Sequence, residues 1–346
     1  MHDQSNRSAI ILILVGILVG ASGLFLLTSY VFNKAKQTPE PEVFGATGTL
    51  HISLAERGHW DVDLFALDIA SGEMRRNGVS DEYTSYTDTV SHDGTMRAFM
   101  AAPIDPDKDA SIESPQAEPF ELYIEDLKTG ALTKVTEAAY RTPTLPQWSP
   151  NDRYIAFEYR TSDSFEDLVD NDTLAVAVYD RETGELREIG AGAHPLWSPD
   201  GSKLLTLRSD GLYLYDVSGG NGKKVYEAVR TTSTLLKSAL SRDGSQFAIT
   251  NPEGVFVFRI TSWNDFAMER IATLALSEEE APEGAAYRWP VFSPDDTYIA
   301  VHAGVYADGK RISPRITVFD IETGEYRNVA DLSSYNNSVT FISDWN

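Results

Sequence analysis

The stretch Trp197-Ser198-Pro199-Asp200-Gly201 recurs in variant form four more times, and that recurrence limits the fold more than any other feature of the chain. The other copies are Ser91-His92-Asp93-Gly94, Trp148-Ser149-Pro150-Asn151-Asp152, Ser241-Arg242-Asp243-Gly244 and Phe292-Ser293-Pro294-Asp295-Asp296. Each has turn chemistry: Pro presets φ, Asp or Asn bonds back to the turn backbone, and Gly takes positive φ without strain. A short apolar strand precedes each copy, and another follows at 97–101, 154–157, 203–207, 246–250 and 298–301. The repeated unit therefore contains a β-hairpin.

A second marker lies between these turns. An Asp closes an apolar strand and a Gly follows four positions later, at Asp68/Gly72, Asp126/Gly130, Asp180/Gly184, Asp216/Gly220 and Asp320/Gly324. This is again a hairpin signature. A sixth such strand, 255–258, is followed by Arg259 and Trp263 instead, which predicts one irregular hairpin.

Four antiparallel strands per unit make one propeller blade, and six copies of the third strand predict six blades. The C-terminal 339–345 reads as an inner strand with a degenerate turn, whereas 49–54 reads as a second strand with no first strand before it. The expected fold class is all-β, a six-bladed β-propeller closed by the C-terminal strand. Closure of this kind removes exposed sheet edges.

Four segments follow: a tail over 1–8, a transmembrane anchor over 9–32, a Pro/Glu linker over 33–47 and the propeller over 48–346. Positions 9–32 carry no charged residue, and a helix of that length crosses a hydrocarbon core of ~30 Å. A cleaved signal peptide ending near Val19-Gly20-Ala21 fits less well, because apolar sequence continues to Phe32. Arg7 on one side and Lys34 and Lys36 on the other leave orientation unspecified by charge. The formal charge of −23 and the lack of any Lys/Arg run argue against nucleic acid as a partner. With zero Cys, a disulfide framework is excluded.

The Trp-Ser-Pro-Asp-Gly turns, with strands that end in Asp before a turn Gly, resemble those of the TolB-type propellers over about 48–346. The resemblance implies a six-bladed ring outside the bacterial cytoplasm that binds protein at its central opening. The chain departs from the soluble members of that group in its expected anchor.

Strand order puts the Ser-Pro-Asp-Gly turns on one face of the ring and the variable loops on the other. Loops at 55–62, 103–119, 161–172 and 304–314 are long and belong to consecutive blades, which predicts a wall over part of the opening. Trp60, Tyr140, Arg141, Tyr287, Arg288, Trp289 and His194 are the candidate binding residues, since aromatics with Arg are favoured at protein interfaces. Ala138–Arg141 and Ala285–Arg288 duplicate the tetrapeptide Ala-Ala-Tyr-Arg, and both are expected just before an inner strand, with each Arg at the channel mouth. His194 is likewise expected to face the channel.

Catalytic chemistry is weakly signalled. Asp105, Asp107, Asp109 and Glu113 alternate like a calcium loop, but Ala110 stands where an EF-hand needs Gly and Gln116 where it needs Glu. No cofactor is expected, with calcium at this loop as the alternative. The six His residues show no metal-ligand spacing, and no Gly-x-Ser-x-Gly elbow occurs. The expected function is a membrane-anchored, extracytoplasmic, non-enzymatic propeller that binds a protein or peptide at its long-loop face and channel mouth. The alternative is a propeller lyase or hydrolase using channel His and carboxylates.

Overall fold

A computed structural model of the chain describes residues 45–55, 62–77, 83–103, 120–137, 141–161, 174–227, 237–251, 253–307, 310–335 and 341–346. The chain divides into two compact units, Met1–Gly45 and Ala46–Asn346, and the second holds six four-stranded antiparallel sheets. The anchor expected over 9–32 lies outside the described residues; among those described, no helix is long and apolar enough to cross a membrane.

Blade one contains β1 (Thr49–Ala55), β2 (Val62–Asp68) and β3 (Met74–Arg76). Blade two is β4 (Tyr83–Val90), β5 (Met96–Pro103), β6 (Glu121–Asp126) and β7 (Leu132–Lys134). Blade three is β8 (Arg141–Trp148), β9 (Tyr154–Arg160), β10 (Leu174–Asp180) and β11 (Glu185–Ala191). Blade four is β12 (Ala193–Trp197), β13 (Lys203–Arg208), β14 (Gly211–Asp216) and β15 (Lys223–Glu227). Blade five is β16 (Ser238–Leu240), β17 (Gln246–Asn251), β18 (Gly254–Ser262) and β19 (Ala267–Leu274). Blade six is β20 (Ala285–Phe292), β21 (Tyr298–Ala307), β22 (Lys310–Asp320) and β23 (Tyr326–Asp331), and β24 (Phe341–Trp345) returns to blade one.

The first sheet runs β24-β1-β2-β3, so the C-terminal strand supplies the inner strand of blade one as expected. Thr49 and Asn346 exchange backbone bonds of 2.6 and 3.0 Å, and the Trp345 indole donates to Thr47 O at 2.9 Å. Gly48 is required at this seam: at φ 107° a Cβ would lie 2.6 Å from Asn346 O. Inner strands touch in succession from β24 through β4, β8, β12, β16 and β20 back to β24, which closes the ring.

The faces of the middle strands are buried between blades, so these strands are predominantly apolar, with a few buried polar residues such as His51, Glu158 and His302. Along β9, Ile155 and Phe157 pack toward blade two, whereas Ala156 packs with Trp197 and Leu204 of blade four.

The turn Ser hydroxyl donates to the Asp or Asn two residues on in all five copies, as in Ser198 to Asp200 at 2.6 Å. It also accepts the amide five residues on, as from Lys203 N at 2.9 Å. Where Asp replaces Gly, the backbone is still left-handed: Asp152 has φ 55° and Asp296 φ 60°. Their carboxylates leave the home blade. Asp152 accepts from the amides of His92 and Asp93, and Asp296 from those of Arg242 and Asp243.

Two expectations need adjustment. The Asp-x-x-x-Gly turns close by a bond from Gly N to Asp O at Asp68, Asp126, Asp180 and Asp320, but at Asp216 the donor is Gly219, one residue earlier than Gly220. The long loop expected over 304–314 is an extension of the β21–β22 hairpin, paired out to Ala307 and Lys310. Blade five carries the irregular hairpin: β18 runs on to Ser262, and the Trp263 indole donates to Gly244 O at 3.0 Å.

Candidate functional site

Three inner strands share one irregularity. At Leu145-Pro146, His194-Pro195 and Trp289-Pro290 two residues stand opposite one on the neighbouring strand. The first residue of each pair is left-handed, with φ of 49°, 52° and 54°. A non-Gly residue held there costs roughly 1–3 kcal/mol. Such bulges re-aim a side chain, and these turn His194 and Trp289 toward each other.

The two rings stack with centroids 5.5 Å apart and planes 22° apart. Blades four and six are not neighbours in the ring, so this contact spans the channel in front of blade five. Blade five fills the gap with Lys237, whose Nζ donates to His194 Nε2 at 2.6 Å and lies 4.0 Å from the centre of the Trp289 ring. From blade three, Glu158 Oε2 accepts the backbone N–H of His194 at 2.7 Å. Four blades thus contribute to one cluster, and Lys237, His194 and Trp289 are 7%, 5% and 9% exposed.

Burial, and then the Lys237 charge, push His194 well below its ordinary value, so the imidazole is a neutral acceptor. Burial brings Lys237 down to about 8, with Glu158 opposing the fall and Arg288 adding to it. Arg160, two residues beyond Glu158, is also lowered by burial, with Glu158 opposing.

A second buried cluster lies at the seam of blades one and two. His51 Nδ1 is 2.8 Å from Asp88 Oδ2, and Ser343 of β24 donates to Asp88 Oδ1 at 3.0 Å. The Asn346 amide lies 3.2 Å from His51 Nε2. Burial pulls His51 down, but the charge and hydrogen bond of Asp88 outweigh it and raise the imidazole to about 8. Burial disfavours the Asp88 carboxylate, yet His51 holds it below its ordinary value. The serine bonds to the carboxylate and not to the imidazole, so the trio lacks the order of a nucleophilic triad.

The structure unites two of the sequence-predicted residues, His194 and Trp289. Arg288 sits beside them in β20, half-buried and paired with His302. Tyr287 is buried at the contact of blades five and six, where its hydroxyl accepts the Leu276 amide at 2.8 Å and its ring meets Phe319. Arg141 opens β8 opposite Arg160, while Tyr140 and Trp60 lie outside the described residues, as does the calcium-like loop. His194 and both tetrapeptide arginines lie within inner strands rather than before them. The tetrapeptides are also not equivalent: Arg141 precedes the turn-flanking Trp148 by seven residues and Arg288 precedes Phe292 by four, so the pairing register separates them.

Lys237 and Glu158 were missed. Both had a signal: Lys237 precedes Leu240 by the same three residues that separate His194 from Trp197, and Glu158 interrupts an otherwise apolar strand. Among the described residues, no group of three or more His, Cys, Asp and Glu side chains is placed to hold a metal ion. His51, His194 and His302, candidates for the enzymatic alternative, belong to blades one, four and six and are all buried.

No protein-family model and no curated protein matches the chain. Solved structures do. TolB from Acinetobacter baumannii superposes with a TM-score of 0.57 at 14% identity, covering 89% of this chain and 69% of that one. The chain has the TolB propeller fold. A TolB-type protein from Agrobacterium tumefaciens gives a TM-score of 0.51 at 14% identity over 86% of this chain and 98% of its own. An oligogalacturonate lyase from Vibrio parahaemolyticus gives 0.53 at 14% identity over 81% and 80%. The TolB-like fold is therefore shared with an enzyme, and fold alone does not decide between binding and catalysis.

Proposed function

We propose that this TolB-like propeller is a binding module that takes a protein or peptide segment at the channel mouth on its long-loop face. The N-terminal 9–32 would tether it to a membrane, with the ring outside the cytoplasm. The observation that carries this reading is the convergence of Trp289, His194, Lys237 and the adjacent Arg288 on the channel wall. Three of the blades involved contribute through a strained bulge or the residue just before an inner strand, which is where loops on a rigid scaffold meet a ligand. Cationic groups backed by a rigid, packed aromatic wall suit a protein partner. The paired state of His51 and Asp88 leaves that cluster a structural role.

The lyase among the similar structures keeps one enzymatic alternative, turnover of an acidic saccharide. Capture from native membranes by the wild-type chain and by an Arg288→Ala variant of equal melting temperature tests the first reading. Specific partners should be retained by wild type and lost by the variant. Equal capture by both, or measurable cleavage of oligogalacturonate by the wild type, would overturn it.

A further inference from the structure

The charge balance of the channel cluster runs against that of the chain. The molecule carries a formal −23, yet at this point the cations of Lys237 and Arg288 are brought together, with Arg160 close behind, around Glu158. Among the described residues, Glu158 is the carboxylate that acts on both Lys237 and Arg160. It spends Oε2 on the His194 amide.

Lys237 forms no ion pair with a described carboxylate. Its ammonium has three donors, and the described contacts use one, to His194 Nε2, with the ring of Trp289 beside it. A buried ammonium without an ion-paired carboxylate is costly, and buried groups with perturbed titration cluster at functional sites. The neutral His194 orients the ammonium without supplying charge.

We infer that the channel wall of blades three to six holds a carboxylate site for a bound peptide, in which Lys237 Nζ and the Arg288 guanidinium receive the anion beside the His194–Trp289 pair. This rests on the peptide-binding reading above and names the group it recognises. Along β20, Arg288 lies nearer the long-loop face than Trp289, so a segment entering from that face meets Arg288 first and Lys237 at the end of its path. A peptide fits better than a sugar. Trp289 is 9% exposed and already covered by His194 and Lys237, which leaves a pyranose no ring face to stack on.

The test is calorimetric titration of the full chain with acetylated, amidated Ala/Gly nonapeptides bearing a central Glu or a central Gln. A third nonapeptide carries only a free C-terminal carboxylate, and trigalacturonate is the fourth probe. One of the two carboxylate peptides should bind at least tenfold tighter than the Gln peptide, and which one distinguishes a side-chain from a terminal carboxylate. Lys237→Met should abolish that preference. Arg288→Gln, at a half-buried position, should reduce it three- to tenfold. Equal binding of Glu, Gln and C-terminal peptides would remove the carboxylate site and leave the peptide-binding reading standing. A preference that survives both substitutions would also remove it. Binding of trigalacturonate alone, or of no probe, would overturn both.

Discussion

Two buried histidines, one in blade one and one in blade four, titrate in opposite directions. His51, at the seam of blades one and two, is raised to about 8; His194, in blade four, is held well below its ordinary value. Burial lowers both. The difference is the partner: His51 meets the Asp88 carboxylate at 2.8 Å, whereas His194 meets the Lys237 ammonium at 2.6 Å. The seam therefore ends as a closed ion pair whose remaining oxygen takes the Ser343 hydroxyl of the closing strand. Among the described residues, the channel cluster ends as an ammonium with no carboxylate in an ion pair to it. The seam neutralises its buried charge from within, whereas on the proposed reading the channel cluster leaves that to the ligand.

Deleting one partner in each region should break the comparison most sharply. Asp88→Ala leaves His51 and the Ser343 hydroxyl buried without their acceptor, and should destabilise the ring by about 3–5 kcal/mol. Lys237→Met removes a buried charge that no described carboxylate pairs, fills similar volume, and should leave stability unchanged or higher by about 1–2 kcal/mol. Urea midpoints of the two variants measure both. A large loss in Lys237→Met would mean that the cluster is structural.

The same contrast should appear in the pH dependence of the wild type. His51 binds its proton more tightly folded, at about 8, than unfolded, at 6.5, so its contribution is complete below 6.5 and lost as pH rises through 8. That is about 2 kcal/mol. Lys237 is the reverse: its folded value of about 8 lies below the unfolded 10.5, so the folded state is penalised at neutral pH and relieved between 8 and 10.5, by about 3 kcal/mol. Among the described residues, the charged groups acting on Lys237 are Glu158 and Arg288, with His194 neutral over this range. Stability should therefore fall from pH 6.5 to 8 and recover above it. Lys237→Met should lose the recovery and keep the fall. A profile that is flat from 6.5 to 10 would contradict both assignments.

The ring was legible because its information is local. Each Ser-x-Asp turn satisfies its own hydrogen bonds within five residues, so the copies look alike wherever they occur. Closure was legible for the same reason, as 339–345 had a strand pattern with no partner nearby in sequence. The channel cluster was not, because it depends on register. The bulges at 145, 194 and 289 decide which side chain enters the channel, and a one-residue change of register exchanges the faces. Of the identical tetrapeptides, one ends at Arg288 directly before the bulge at 289 and the other at Arg141, four residues before the bulge at 145, and Lys237, with no motif around it, completes the cluster.

The smallest effect expected concerns the other end of the ring, where turns of consecutive blades touch. Asp152 and Asp296 each cap two amides of the preceding blade's turn, and in those turns the residue after Ser is His92 or Arg242, which has an N–H to give. Where that residue is Pro150 or Pro199, there is no N–H, and the following blade carries Gly201 or Gly244 in place of Asp. The Pro ring also occupies the space: a Cβ on Gly244 would lie 2.2 Å from Pro199 Cγ. Asp152→Gly keeps the left-handed turn without strain but loses the caps, at a cost of about 1 kcal/mol. His92→Pro alone should cost at least as much, because it removes the donor and sets a ring against Asp152. If the two positions form one unit, the double substitution should cost less than the two singles together, by about 1 kcal/mol in a double-mutant cycle. Strict additivity in thermal unfolding would show that the alternation of Pro/Gly with donor/Asp is incidental to how the blades are joined.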